Sequence, residues 1–409
     1  MLKDLRQKTP YRIRTLIIRI NRYPYAGVIF LVLLTLAMHL TIINNTKSYL
    51  FDEGYYVADA RLVMAGQPPL NLEHPPVGKF FILNGIRLFG DNPWGWRFFS
   101  AISGTICVAL FYFICRRLKM RSGAPFMATF VFALENLNFV QSSTAMLDVY
   151  MVTFMMAGFL CFLYDRPLAA GLCIAGSALC KFTGILGACT VFFWWLFRPE
   201  QRRNTSSIVI FVCSFFVFFA LLFWLLYSLY LGDWVNPTER LKEIFKQASG
   251  LTYTGTIQYN ASRPWQWILQ PVWMVYSFIP QYIAMVSPTI WAVMIPIIIY
   301  AVYLFSRGNR TGIFSLAWFA GTYLPVLIAV LLTDRVTFIY YFYPVLGSFY
   351  IIIGYVLSEL IVYWQENKNT QGGQLALICT IFYLTAHVMT FIYLSPLGVP
   401  LVKWLPLGI

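Results

Sequence analysis

Two adjacent carboxylates, Asp52 and Glu53, follow directly on an apolar run. A carboxylate so placed can take a proton from a hydroxyl group. It can equally be a solvated helix start, where acids are favoured by the backbone dipole. The string Glu73-His74-Pro75-Pro76-Val77-Gly78-Lys79 is the most unusual in the chain. Its prolines fix the backbone and remove two donors, so His74 is held at a rigid corner before an apolar helix, unless the string is a plain turn. Lys79 closes that string, and Arg97 opens the next apolar run, where snorkelling to an interface is the plainer reading. Asp148, Lys181 and Arg335 lie at the edges of further apolar runs. Ionisable groups at bilayer depth cost roughly 2.5 to 3.5 kcal/mol each, so such residues are functional candidates unless they form ion pairs or snorkel. Lys181 stands out, since both its flanks are apolar and its own loop supplies no acid. Glu135 inside an apolar run is ambiguous. Tyr340, Tyr341 and Tyr343 before Pro344 read as an interfacial aromatic belt or as the lining of a sugar site. His39 and His387 read as hydrogen-bonded core residues.

One substrate suits this set: a sugar joined through phosphate to a polyprenyl lipid. Its tail lies in the bilayer and its phosphate at the interface. Phosphate leaves readily if its charge is stabilised, so one base and membrane-edge cations suffice, unlike the paired acids of glycoside hydrolysis. Asp52 would deprotonate an acceptor hydroxyl attacking the anomeric carbon in line, with inversion, while Lys181 and Arg335 neutralise the departing phosphate. No cofactor is expected. A divalent metal on Asp52, Glu53 and His74 is not established by the spacing of one loop, and the site is read as metal-independent.

The elements that must position these residues are membrane helices. The 409 residues are 59% apolar and 11% charged, too apolar for the surface of a soluble chain. The expected fold is all-α and polytopic, with about eleven transmembrane helices of span length. These are placed near Ala26–Ile43, Phe98–Cys115, Ala124–Val140, Asp148–Tyr164, Leu168–Lys181, Gly184–Phe197, Ser207–Tyr230, Val286–Phe305, Ile313–Leu332, Phe338–Val362 and Gln374–Tyr393. Residues 168–197 form either two spans or one long one. Lys and Arg concentrate in the leader and in the short turns of one side, which places the N-terminus in the cytoplasm of a plasma-membrane protein. The net charge of +14 is then mainly a topology signal, and nucleic acid is not an expected partner. Two long outer loops remain, about 44–97 and 231–285, with helical spacing over Glu53–Ala65 and an amphipathic helix over Asn236–Lys246. A patch of Arg263, Trp265 and Trp267 follows. Residues 1–409 read as a single domain, with its site on the extracytoplasmic face. The eight cysteines sit in or beside spans as small apolar residues, without a disulfide or zinc pattern.

The order Asp52-Glu53, then His74-Pro75-Pro76-Val77-Gly78-Lys79, then Trp96-Arg97 with Gly104, resembles protein O-mannosyltransferases that use dolichyl-phosphate-mannose. These are integral membrane glycosyltransferases of the GT-C class. Weaker echoes occur at Met146-Leu147-Asp148, Lys181-Phe182-Thr183-Gly184, Ser262–Trp267 and Tyr340–Pro344. The resemblance implies that Asp52 is the catalytic base, that Glu53 helps hold the acceptor and that the His-Pro-Pro stretch shapes the site. Arg97 joins Lys181 and Arg335 as a candidate for the donor phosphate. The partners implied are a polyprenyl-phosphate-linked sugar, with mannose the expected sugar, a protein Ser/Thr or glycan acceptor, and membrane lipid. The outer loops are too short for the soluble domain of eukaryotic members, so the chain looks like a compact bacterial or archaeal type. The alternatives are a lipid-acceptor transferase of the aminoarabinose type and a non-catalytic transporter of lipid-linked sugars. A transporter would carry midplane charges and repeat symmetry, and neither is visible.

Overall fold

The computed structural model describes residues 25–121, 123–255 and 259–398. The basic leader from Lys3 to Arg22 and the chain beyond Gly398 lie outside the described residues. Helix α1 (Ala26–Ile42) leads to two shorter helices, α2 (Glu53–Met64) and α3 (Pro76–Phe89), and then to α4 (Pro93–Arg117). Local sequence explains the boundaries. Pro76 and Pro93 occupy first helical positions, where no N–H is needed. Asn92 caps α4 by accepting from the amides of Trp94 and Gly95.

The expected span Ala124–Val140 is broken into α5 (Ala124–Ala133) and α6 (Asn136–Ser142). The break is Glu135, which is extended and whose carboxylate accepts the Asn138 amide at 2.7 Å. A bend of 110° then separates α6 from α7 (Leu147–Leu163). Next come α8 (Pro167–Cys180) and α9 (Leu186–Phe197), joined by a tight turn that starts at an extended Lys181. The two helices are antiparallel, because Gly184 packs against Ser177 and Gly187 against Ile174. Residues 168–197 thus form two helices rather than one continuous one. A side chain at Gly184 would overlap the Ser177 carbonyl.

The chain continues through α10 (Thr205–Leu231), ended by Gly232 at φ +72°, and through α11 (Pro237–Ser249), capped by Asn236. After α12 (Pro264–Leu269), two strands form an antiparallel hairpin, β1 (Trp273–Ser277) with β2 (Tyr282–Met285), Trp273 pairing with Met285. Sequence patterning does not anticipate this hairpin. It is tied to the break between α5 and α6: the Asn136 amide donates to the carbonyls of Ile283 and Met285, and Glu135 accepts from the Ser287 amide. The last elements are α13 (Pro288–Trp291), α14 (Met294–Ser306), α15 (Arg310–Thr333), a 3-10 turn over Ile339–Val345, α16 (Gly347–Glu366) and α17 (Gln371–Leu394). Among the described residues, five helices are long and apolar enough to cross a membrane: α4, α10, α15, α16 and α17. A sixth crossing results if α6 and α7 count as one bent span. The other expected spans fall on apolar helices of 10–17 residues.

One buried ion pair locks the segment between α1 and α2. Both Glu53 and Arg97 are fully buried, with Nε and Nη2 of Arg97 each 2.8 Å from a Glu53 oxygen. Arg97 also donates to the carbonyls of Ile43, Thr46 and Ser48, and Glu53 accepts from the amides of Leu50 and Ala145. Removing one partner of such a pair leaves a buried charge uncompensated. Arg97→Ala should therefore lose about 3–5 kcal/mol of stability. Arg61→Ala, in the exposed pair with Asp91, should lose about 1 kcal/mol or less. Thermal unfolding of the two variants in detergent checks this, and equal shifts would contradict it.

Candidate functional site

A cavity of about 820 Å³ opens beside the start of α2, within the size range of small-molecule sites. Its wall includes Asp52, Tyr56, Glu73, His74, Arg335 and Tyr340, with Phe51, Tyr341 and Gln247 among the rest. Residues from the first loop, from α11 and from the stretch after α15 thus meet in one place.

Asp52 is the N-cap residue of α2. The residue before it, Phe51, sits at φ +51°, a left-handed conformation that a side-chain-bearing residue adopts at a cost of about 1–3 kcal/mol. The Phe51 ring is stacked on Tyr276 at 5.0 Å, and the Tyr276 hydroxyl accepts from Gln141 at 2.7 Å. The β-hairpin and α6 therefore brace the residue that aims the Asp52 carboxylate. Burial pushes Asp52 up to about 6, with Lys181 opposing and Asp148 and Glu73 adding to the rise. An acid held near neutrality is suited to general-base work. Tyr56, one helical turn after Asp52, shares its face of α2.

Arg335 reaches the cavity from a chain reversal. Asp334 ends α15 at φ +51° and accepts from Arg263 at 3.2 Å and from the amides of Tyr253 and Thr254. Arg335 follows, bridged to Thr252, as a half-buried guanidinium on the cavity wall. His74 is also half-buried there, and its carbonyl accepts from the Tyr227 hydroxyl at 3.0 Å. Burial first, then Lys181, Lys79 and Arg335, push His74 well below its usual value, which favours the neutral ring. Lys181 is buried, its ammonium 2.9 Å from both oxygens of Asp148 and 4.7 Å from the Tyr340 ring centre.

Three sequence-based expectations need correction. Glu53 does not face the cavity, since its oxygens are held by Arg97 and two backbone amides. Arg97 has all five N–H groups engaged within the protein and has none to offer a phosphate. Lys79 is buried against Asp59 at 2.8 Å and the Asn71 carbonyl, so it is structural. The position of Lys181 is also revised: it lies behind Tyr340 and Tyr341, bound to Asp148, and is not part of the cavity wall. Sequence reasoning did not nominate Tyr56, Glu73 or Gln247. Tyr56 was accessible from helical spacing, whereas Gln247 required the tertiary fold. Glu135 is a buried helix cap. His39 and His387 are core residues as expected, bonded to Ser143 at 3.0 Å and to Thr289 at 2.7 Å. Among the described residues no group of three or more His, Cys, Asp or Glu side chains is arranged to hold a metal ion. All eight cysteines are free.

The family profile described as dolichyl-phosphate-mannose-protein mannosyltransferase matches residues 73–227, a stretch containing His74, Asp148 and Lys181. The polyprenol-phosphate-mannose–protein mannosyltransferase of Mycolicibacterium smegmatis is 24% identical, over 87% of each chain. Among solved structures, the S. cerevisiae protein O-mannosyltransferase Pmt1-Pmt2 complex bound to the sugar donor shares the fold with a TM-score of 0.69, at 12% identity over 90% of both chains. ArnT from Cupriavidus metallidurans bound to undecaprenyl phosphate does so at 0.56, with 16% identity over 93% of this chain and 72% of that one. The chain is thus similar over most of its length to polyprenol-phosphate-mannose–protein mannosyltransferases, and it shares a multi-pass helical fold with solved membrane glycosyltransferases.

Proposed function

We propose that this enzyme is an inverting glycosyltransferase that moves mannose from a polyprenyl-phosphate carrier to a hydroxyl group of a protein acceptor. The observation that carries the reading is a raised carboxylate, Asp52, sharing an 820 Å³ cavity with the guanidinium of Arg335. The names of the relatives support mannose, the polyprenyl phosphate and protein as acceptor. A Ser or Thr hydroxyl loses its proton to Asp52 as its oxygen bonds to the anomeric carbon. The bond from that carbon to the phosphate oxygen breaks on the opposite face, its electron pair stays on the phosphate, and configuration inverts. Arg335 stabilises the charge that develops on the leaving phosphate, as fixed donors do in acyl and phosphoryl transfer. Lys181, tied to Asp148, contributes a field at Asp52 from behind the tyrosine pair. Tyr340, Tyr341 and Tyr56 offer ring faces and hydroxyls for sugar packing. The whole of residues 1–409 acts as one membrane-embedded domain. The distribution of Lys and Arg supports a cytoplasmic N-terminus and a site on the extracytoplasmic face.

Transfer of radiolabelled mannose from synthetic polyprenyl-phosphate-mannose, by membranes bearing equal amounts of each variant, tests the base. Asp52→Asn should fall by about 10²–10⁴-fold, the usual contribution of a positioned base. Protease-sensitive label identifies a protein acceptor, and solvent-extractable label a lipid one. Wild-type transfer by Asp52→Asn would refute the assignment. Arg335→Ala should lower turnover on the order of 10²-fold, as loss of a charge-stabilising donor does.

The acid limb has a defined sign. Only the deprotonated carboxylate accepts a proton, and burial raises Asp52 to about 6. Activity should therefore be on a plateau above that value and decline about tenfold per pH unit below it. A profile of kcat/KM against pH in which the decline begins near the ordinary carboxylate value would show that Asp52 is not the titrating base.

A further inference from the structure

The mechanism above leaves Arg240 unused, although it is the most anomalous residue of α11. Its helix is largely exposed, yet Arg240 itself is 4% exposed. Its guanidinium donates from Nη2 to the Leu72 carbonyl at 2.6 Å and from Nη1 to Glu243 at 2.7 Å, while Nε has no hydrogen-bond partner. Its carbon lies 5.2 Å from the centre of the Tyr227 ring, and Tyr227 in turn donates its hydroxyl to the His74 carbonyl. The carbonyls on both sides of Glu73 are thus held by a stacked pair from α11 and α10.

The opposite edge of the same loop is held from α2 and α3. Asp59 accepts from the amides of Leu70 and Asn71 at 2.9 and 3.0 Å, and Lys79 joins Asp59 to the Asn71 carbonyl. The loop from Leu70 to His74 is therefore clamped from two sides, although all five of its residues lie on the cavity wall with open or partly open side chains. α11 also supplies Gln247 to that wall and lays Phe245 parallel to Phe182, the neighbour of Lys181, with ring centres 6.0 Å apart.

We infer that Arg240, stacked on Tyr227, is a positioning residue for the transfer reaction: it holds the Leu72–His74 backbone so that Glu73 and His74 face Asp52 across the cavity. The inference rests on the reading of this cavity as the active site. Fixing a polar loop in one arrangement is the preorganisation that catalysis requires, and a small misplacement can reduce turnover about 10²-fold. Arg suits the role because its planar fork reaches a carbonyl and a carboxylate together, which a Lys ammonium does not reproduce.

The position of Glu73 leaves a signature that a purely structural role would not. The groups that act on Asp52 are Lys181 from the end of α8, Asp148 from α7 and Glu73 from the clamped loop, with His74, Arg335, Tyr56, Tyr340 and Tyr341 around the same cavity. Glu73 adds to the rise of Asp52, as does exclusion of water. Slackening the loop weakens both effects in the same direction, so the acid limb of the rate profile should move to lower pH.

The test uses the full-length enzyme in detergent with synthetic polyprenyl-phosphate-mannose, comparing Arg240→Lys, Tyr227→Phe, Asp52→Asn and, as a control exposed on the same helix, Glu239→Gln. The expected result is a fall in kcat of about tenfold or more for each of the first two, with the acid limb displaced downward and thermal unfolding close to wild type. Glu239→Gln should match wild type. If both clamp variants keep the wild-type kcat and acid limb while Asp52→Asn is inactive, the clamp is refuted and the cavity reading stands. If their losses follow a fall in folded protein with the limb unmoved, the residues are structural and the inference is also refuted. Full activity of Asp52→Asn would remove the cavity reading and the clamp with it.

Discussion

The pair between Glu53 and Arg97 is the constraint on which the site depends. Five backbone groups and two charges would otherwise be stranded where α1 ends, where α2 begins and where the chain turns from α6 into α7. Arg97 takes three of the carbonyls, Glu53 takes two of the amides, and each neutralises the other. Such a pair is weak evidence for stability in itself, since well-packed apolar residues can do as well. Its effect is on register. With Leu50 and Ala145 both anchored on one carboxylate, the chain passes through a left-handed Phe51 to place Asp52 on the cavity wall.

The same device recurs twice with a different outcome. Asp59 with Lys79 and Asp148 with Lys181 are also buried pairs, the first holding the Leu70–His74 loop and the second closing the corner between α7 and α8. Asp52, in contrast, forms no ion pair among the described residues. In each of the three pairs desolvation is offset by direct charge-assisted bonds, whereas at Asp52 burial acts without that compensation. Asp52, left without a bonded cation, has its proton affinity raised toward neutrality by burial.

Much of this was legible in the sequence. The expected apolar spans fall on apolar helices because hydropathy and helix-ending Pro, Gly and Asn act locally. Asp52 and Arg335 were identifiable because charge beside apolar runs carries an energetic penalty that needs a reason, and His74 because the two prolines after it fix a rigid corner. The partners of those charges were not legible. Arg97 and Lys79 are not distinguishable from cavity residues in one dimension, and only the fold shows that their donors are used within the protein. The β-hairpin was hidden for a similar reason: its strands are stabilised by Asn136 and Glu135, far away in the chain. Gln247 and Arg240 belong to an amphipathic helix whose pattern predicts the helix but not the surface it meets.

In the proposed transfer, the division of labour between the two cations follows from the same physics. A leaving phosphate needs a cation whose donors can turn toward it and whose charge is not already neutralised by a carboxylate. Lys181 fails on both counts, since both oxygens of Asp148 hold its ammonium and two tyrosine rings lie against it. Arg335 lies on the cavity wall itself, on the far side of a reversal set by Asp334. A strong cation bonded to Asp52 would hold that carboxylate ionised but would also make it a poor proton acceptor. With Lys181 tied to Asp148, its pull on Asp52 is outweighed by burial, and the base keeps its affinity for a proton. The buried Asp148–Lys181 pair thus leaves Asp52 and Arg335 as the carboxylate and the guanidinium residue that share the cavity wall.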